Sequence, residues 1–269
     1  MSSGAGFTDL HSHLVPAVDD GSASADESRE SLLRLRDEGV GTVVTTPHLL
    51  LPHLPGTAAI DRELERHRIA FELLLEDLEG TPDLPALGLG QEIWAPDAAL
   101  VRSVASRDDV GLAGGRWLLV EFGFDLQGTH EGVVRAATAA GRGIVIAHPE
   151  RYRYLPGLEP LEQMRRWRDL GALLQVNAGS FTGHYRSSSP DSERLAWAMV
   201  REGLVDLVAT DHHGGRRAGV SPREAFEALA ARGERELAGR ALARTPGELL
   251  RETVVAGDPP RVRAPGAAA

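Results

Sequence analysis

Two histidines, His11 and His13, close the segment Phe7-Thr-Asp-Leu-His-Ser-His13. The segment reads as a short buried strand. In a strand, residues two apart point to the same side, about 6–7 Å apart. Two imidazoles so placed can grip one metal ion from one side. Alone, a His-x-His pair is as readily chance as chemistry. The later motifs decide. Asp19-Asp20-Gly21 follows the pair in the next loop. Other short apolar runs end in Thr46-Pro-His48, Gly90-Gln-Glu92, Val120-Glu121-Phe122, Ala147-His148-Pro-Glu-Arg151, Gln175-Val-Asn177-Ala-Gly179 and Thr210-Asp211-His-His213. Strand ends reach solvent, which accounts for one or two polar residues there, not for a recurrent set of imidazoles and carboxylates.

The candidate ligands at these positions are His11, His13, Asp19 or Asp20, His48, Glu92, Glu121, His148, Asp211 and His212 or His213, nine in all. This is too many for one ion. Mixed imidazole and carboxylate donors suit manganese, iron or zinc better than magnesium or calcium. The chain has no cysteine, which excludes thiolate catalysis and favours a catalytic over a closed structural metal site. Two or three ions bridged by a carboxylate is an arrangement used for phosphate ester hydrolysis.

The elements that must carry these residues alternate. Near-continuous apolar runs at roughly 7–11, 40–46, 86–92, 117–122, 143–147, 172–177 and 205–210 read as parallel strands buried on both faces. Helical periodicity falls at about 26–38, 59–79, 129–140, 158–170, 190–202, 222–231 and 245–252. The βαβα alternation predicts a parallel sheet. Seven such units without a nucleotide-binding loop favour a barrel, with its site at the C-terminal ends of the strands. A chain of 269 residues suits one such α/β domain, taken here as residues 1–256. The proline-rich stretch 257–269 reads as a disordered tail. The net charge of −10 argues against a nucleic-acid surface. No run is apolar enough to cross a membrane, and the N-terminus lacks a signal-peptide pattern, so direct membrane insertion is not expected and a cytoplasmic location is the default.

On these motifs the chain resembles the PHP (polymerase and histidinol phosphatase) superfamily. It is most similar to the bacterial manganese-dependent protein-tyrosine phosphatases of capsule and exopolysaccharide loci. Asp9-Leu-His-Ser-His13 followed by Val18-Asp-Asp-Gly21, with His148-Pro-Glu-Arg151 later, carries most of the likeness. The resemblance implies a distorted seven-stranded (β/α)7 TIM-like barrel with up to three ions, manganese first and iron or zinc as alternatives. By the same resemblance, His11, His13, Glu92 and Asp211 would hold one ion. Glu92 would bridge to a second, shared with Glu121 and His148. Asp20 (or Asp19), His48 and His213 would hold the third, and His212 would serve a supporting role. Arg151 is the expected phosphate binder, with a salt bridge to Glu150 as its structural alternative. Arg216 or Arg217 would stand in for a further family arginine, slightly out of register. The loop Leu49–His53 is more apolar than the family pattern. The implied reaction is hydrolysis of phosphotyrosine, with the tail of a membrane-associated bacterial tyrosine kinase as partner. The alternatives are a small-molecule phosphatase of the histidinol-phosphate type and a non-catalytic metal-binding module. His53, His67, His130 and His184 have no motif support and are expected to pack or face solvent.

Overall fold

The computed structural model describes residues 6–126, 128–217, 219–252 and 262–265. The elements run β1 (Phe7–Asp9), α1 (Ala25–Asp37), β2 (Val40–Thr45), β3 (His48–Leu50), α2 (Thr57–Asp77), β4 (Ala86–Leu89), β5 (Glu92–Trp94), α3 (Ala98–Val104), β6 (Trp117–Glu121), β7 (Asp125–Leu126), α4 (Glu131–Ala139), β8 (Gly143–Ala147), β9 (Arg153–Tyr154), α5 (Pro160–Asp169), β10 (Leu173–Asn177), α6 (Ala178–Thr182), α7 (Ser192–Arg201), β11 (Leu207–Ala209), α8 (Pro222–Ala231), α9 (Arg235–Gly239), α10 (Thr245–Arg251) and β12 (Val262–Arg263). Helix starts follow local chemistry. The side chains of Ser24, Asp97 and Ser221 accept first-turn amides of α1, α3 and α8. Pro160 and Pro222 occupy first-turn positions, where their missing N–H costs nothing.

Ten of the twelve strands among the described residues form two main sheets, and β7 pairs with β9 in a small third. One has the order β1-β2-β4-β12 and the other β11-β10-β8-β6-β5-β3. All pairings within them are parallel except β4 with β12. Among the described residues, a parallel bridge from Ser12 to His212 links the two sheets. The ladders of β2 and β3, and of β4 and β5, are interrupted at Thr46-Pro47 and Gly90-Gln91. The two main sheets thus meet at that bridge in a mixed α/β domain, without one continuous ladder among the described residues. Proline lacks an amide for the ladder, a local cause of the first break; Gly90 N still donates to the Thr45 carbonyl at 2.9 Å, and a Cβ there would stand 3.1 Å from Leu112 Cα. The apolar stretch after His48 enters the core as β3 and then turns: Leu49 and Leu51 are buried, while Pro52 and His53 are exposed. Of the tail read as disordered, only 262–265 lies within the described residues, and there Val262 and Arg263 pair with Gly88 and Leu87.

Alternation along the strands positions the site. Leu118, Val120, Ile144, Ile146, Leu174 and Val176 pack with Val133, Val134, Met164, Trp167 and Met199 of the surrounding helices. Their neighbours Leu119, Val145, Ala147 and Leu207 form a second core with Leu10, Val44 and, from α10, Leu249 and Leu250. Towards the strand C-termini this second face becomes polar: two residues beyond Leu119 comes Glu121, and two beyond Leu173 comes Gln175, then Asn177. Period-two alternation thus delivers polar side chains to one end of the sheet.

Candidate metal centre

All nine expected ligands meet at that end. The ring Nε2 atoms of His11 and His13 lie 3.3 Å apart. Each stands 3.2–3.4 Å from a carboxylate oxygen of Glu92 and from Asp211 Oδ1. Asp20 Oδ1 lies 3.4 Å from His48 Nε2 and 3.3 Å from His213 Nε2. His148 Nε2 lies 2.9 Å from Glu92 Oε1. Four groups have donor atoms mutually within 4.8 Å: His13, Asp20, His48 and His213; His11, His148 and Asp211; His11, His13 and Glu92; and His48, Glu92 and Glu121. Glu121 is thereby grouped with His48, and His148 with His11. Glu92 is fully buried at the centre.

The second nitrogen of several rings is anchored. His13 Nδ1 lies 2.7 Å from Asp19 Oδ2, His11 Nδ1 lies 2.9 Å from Gln175 Oε1, and His213 Nδ1 lies 2.9 Å from the Asp211 carbonyl. A hydrogen-bond chain sets the first tautomer choice. Asn177 Nδ2 donates to Asp211 Oδ2, which leaves Asn177 Oδ1 to accept from Gln175 Nε2, which leaves Gln175 Oε1 to accept from His11 Nδ1. Asp19 likewise accepts from His13, and also from the amides of Gly21 and His48. With both Nδ1 atoms donating, the Nε2 atoms of His11 and His13 face one another and two carboxylates. They must share a proton or a cation. Atoms about 2.0–2.1 Å from one ion in tetrahedral array stand about 3.3–3.4 Å apart, which is the spacing found. The donor set therefore fits divalent metal.

The electrostatics agree. Burial, then the Glu92 charge, pushes the Glu121 carboxyl up to about 7. Burial disfavours a charged His48 ring, but Glu92 and Asp20 hold it up to about 10. His13 is likewise held well above the usual range by Asp19, Asp211 and Glu92 against its burial. Without metal the cluster keeps protons that ions would displace. Backbone strain marks the same spot: His148 and Asp211, at the ends of β8 and β11, have φ of 35° and 51°, a region that non-glycine residues enter at a cost.

Arg151 is buried, with Nη1 2.7 Å from Asp211 Oδ2. Its guanidinium carbon lies 4.3 Å from the Tyr185 ring centroid and 5.3 Å from that of Phe124. Its buried Nε has no hydrogen-bond partner among the described residues. Glu150 is not its partner; Glu150 Oε1 accepts from Asn177 N and Ser180 Oγ. Arg216 and Arg217 belong to the turn Gly214–Arg217, and their side chains lie outside the described residues. The His212 carbonyl accepts from His13 N, 2.7 Å away. His67 Nδ1 reaches Gln91, His130 stacks on Phe122, His53 meets Trp94 edge-on and His184 meets Tyr185 edge-on. The residues that sequence reasoning did not assign are Gln175, Asn177 and Tyr185, and Asp19 in its orienting place. Asn177 was visible only as the polar end of a strand. The cleft over the cluster has a volume of about 520 Å³ and is edged by Val18, Leu50, Glu63, Arg66 and Phe124.

Residues 7–251 match the family model described as capsular polysaccharide synthesis, CpsB/CapC. The tyrosine-protein phosphatase YwqE of Bacillus subtilis is 28% identical over 222 residues, covering 82% of this chain and 83% of its own. The tyrosine-protein phosphatase CpsB of Streptococcus pneumoniae is 29% identical over 218 residues, covering 76% and 82%. A solved chain from the pair YwqE and CpsB, described as unique metal-dependent tyrosine phosphatases, aligns with a TM-score of 0.71 and 26% identity, over 96% of this chain and 99% of its own.

Proposed function

The chain belongs to the CpsB/CapC family, and from that premise we propose that it hydrolyses phosphotyrosine with divalent metal ions held by His11, His13, Asp20, His48, Glu92, Glu121, His148, Asp211 and His213. It is a tyrosine-protein phosphatase. The observation that carries this reading is the convergence of two anchored imidazoles and two buried carboxylates at 3.2–3.4 Å. Manganese is the ion favoured by the resemblance, in two or three copies. In this reading the two sheets, joined at Ser12 and His212, are one distorted seven-stranded barrel that forms a catalytic unit through residue 256. We place the enzyme in the cytoplasm, acting on the tyrosine-bearing tail of a membrane-associated kinase. Among the described residues, no helix is long and apolar enough to cross a membrane.

When bound, the ions supply Lewis acidity: they lower the pKa of water and offset charge on the phosphoryl group. The protein does the rest. Asp19, Gln175 and the Asp211 carbonyl hold the rings in register. Arg151 lines the cleft, where its planar guanidinium suits a phosphoryl oxygen. Asp211 and the ring of Tyr185 fix that guanidinium. The leaving phenolate has a pKa of about 10, so a strong general acid is less necessary than for an alkyl ester. Arg216 or Arg217 would add a second cation from the neighbouring turn.

The test uses metal-stripped protein, a phosphotyrosine peptide and histidinol phosphate. Added manganese should restore phosphate release from the peptide, and His11→Ala should abolish it. Restored release from histidinol phosphate alone would move the function to a small-molecule phosphatase.

A further inference from the structure

Phe124 is one of four large apolar side chains exposed among the described residues; the others are Ile69, Leu73 and Leu155. Single exposed apolar residues are ordinary on a protein surface, so its exposure of 46% means little alone. Its position means more. Of the four, only Phe124 lines the metal cleft. Its ring lies parallel to that of His148, at 10° and 6.2 Å between centroids. The Arg151 guanidinium carbon is 5.3 Å from its centroid. The preceding Gly123 has φ of 87°, and a Cβ there would stand 3.0 Å from Trp94 Nε1. The backbone turn that presents Phe124 therefore depends on glycine.

We propose that Phe124 is a specificity-determining residue that receives the aromatic ring of the substrate. This rests on the tyrosine-phosphatase reading above. A phosphate held between Arg151 and the cluster has its ester oxygen directed out of the cleft. The phenyl ring starts one bond further on, beside the partly exposed Phe124 ring. Aromatic rings gain from offset stacking or edge contact beyond simple burial, and an alkyl phosphate has no face to offer. Phe124 and Arg151 also line a second basin of about 590 Å³, walled by Tyr152, Tyr154, Ser189 and Pro190. The peptide backbone on either side of the tyrosine leaves through that basin.

The experiment compares manganese-loaded parent, Phe124→Ala and Phe124→Trp. Calorimetry measures binding of phenylphosphonate and ethylphosphonate, and kinetics follow the phosphotyrosine peptide. In Phe124→Ala, the Kd for phenylphosphonate should rise about 3–10-fold, with that for ethylphosphonate unchanged. KM for the peptide should rise similarly while kcat stays within about twofold. Phe124→Trp should restore both. An unchanged phenylphosphonate Kd would overturn the proposal, as would equal weakening of both phosphonates. A parent that cleaves phosphotyrosine while Phe124→Ala loses nothing defeats the platform alone. A parent that cleaves only histidinol phosphate defeats the functional reading as well.

Discussion

An ionised carboxylate can only accept hydrogen bonds, and from that fact the orientation of Asn177, Gln175 and finally His11 follows in turn. The consequence reaches the metal through His11 Nε2, which the relay holds towards Glu92 and His13. Removing such an outer partner commonly costs 10–100-fold in metal affinity. Gln175→Leu should therefore raise the manganese Kd by about 10–100-fold, measured by calorimetry on the stripped protein. Gln175→Glu keeps an acceptor for His11 Nδ1 and should stay closer to the parent. If Leu and Glu behave alike, the acceptor is not what matters, and Gln175 serves packing only.

At the scale of elements, the loop after β1 shows how a glycine holds a carboxylate in place. A Cβ on Gly21 would lie 2.1 Å from the His13 carbonyl oxygen. The loop is folded onto that backbone, with Ser22 N donating to the same carbonyl at 3.0 Å. Asp20 reaches His48 and His213 from this loop. Gly21→Ala should push the loop away, lower Tm by roughly 2–8 °C, and reduce the bound manganese by one ion in elemental analysis. Full manganese content with an unaltered Tm would show that the loop relaxes freely. The same stretch shows what was legible beforehand. Apart from Asp20, each ligand sits at or just after the end of an apolar run, so strand ends and ligands could be read together, and the seven main helices fell within two residues of their predicted limits. Reading those runs as continuous strands hid the breaks at Pro47 and Gly90. The relay stayed hidden for a different reason. A neutral amide carries no metal signal of its own, and Gln175 acquires its role only from a partner 164 residues away. The short helices α3, α6 and α9 (7, 5 and 5 residues) offer too few turns for a periodic pattern.

Across the whole molecule, protons and metal compete for one cluster, and this couples stability to pH. Take the metal-free protein first. Despite burial, Glu92 and Asp20 raise His48 from the ordinary 6.5 to about 10. Between these values the folded state binds more protons than the unfolded state, so stability falls as pH rises through that window. Glu121, raised from 4.5 to about 7 by burial and Glu92, has the same sign at lower pH. His148, lowered by burial to about 4, opposes the trend, but its effect is complete by about 6.5. Above neutrality the carboxylates Glu92, Glu121 and Asp211 lose their compensating protons and repel. Bound manganese replaces those protons and stabilises by its affinity for the folded state alone. Calorimetric scans from about pH 6.5 to about 8.5 should thus show the stripped protein losing Tm as pH rises. The gap between loaded and stripped protein should widen over the same range. A constant gap would mean that the cluster does not exchange protons for metal. A stripped protein that gains Tm with pH would mean that the converging carboxylates are already separated in the folded chain.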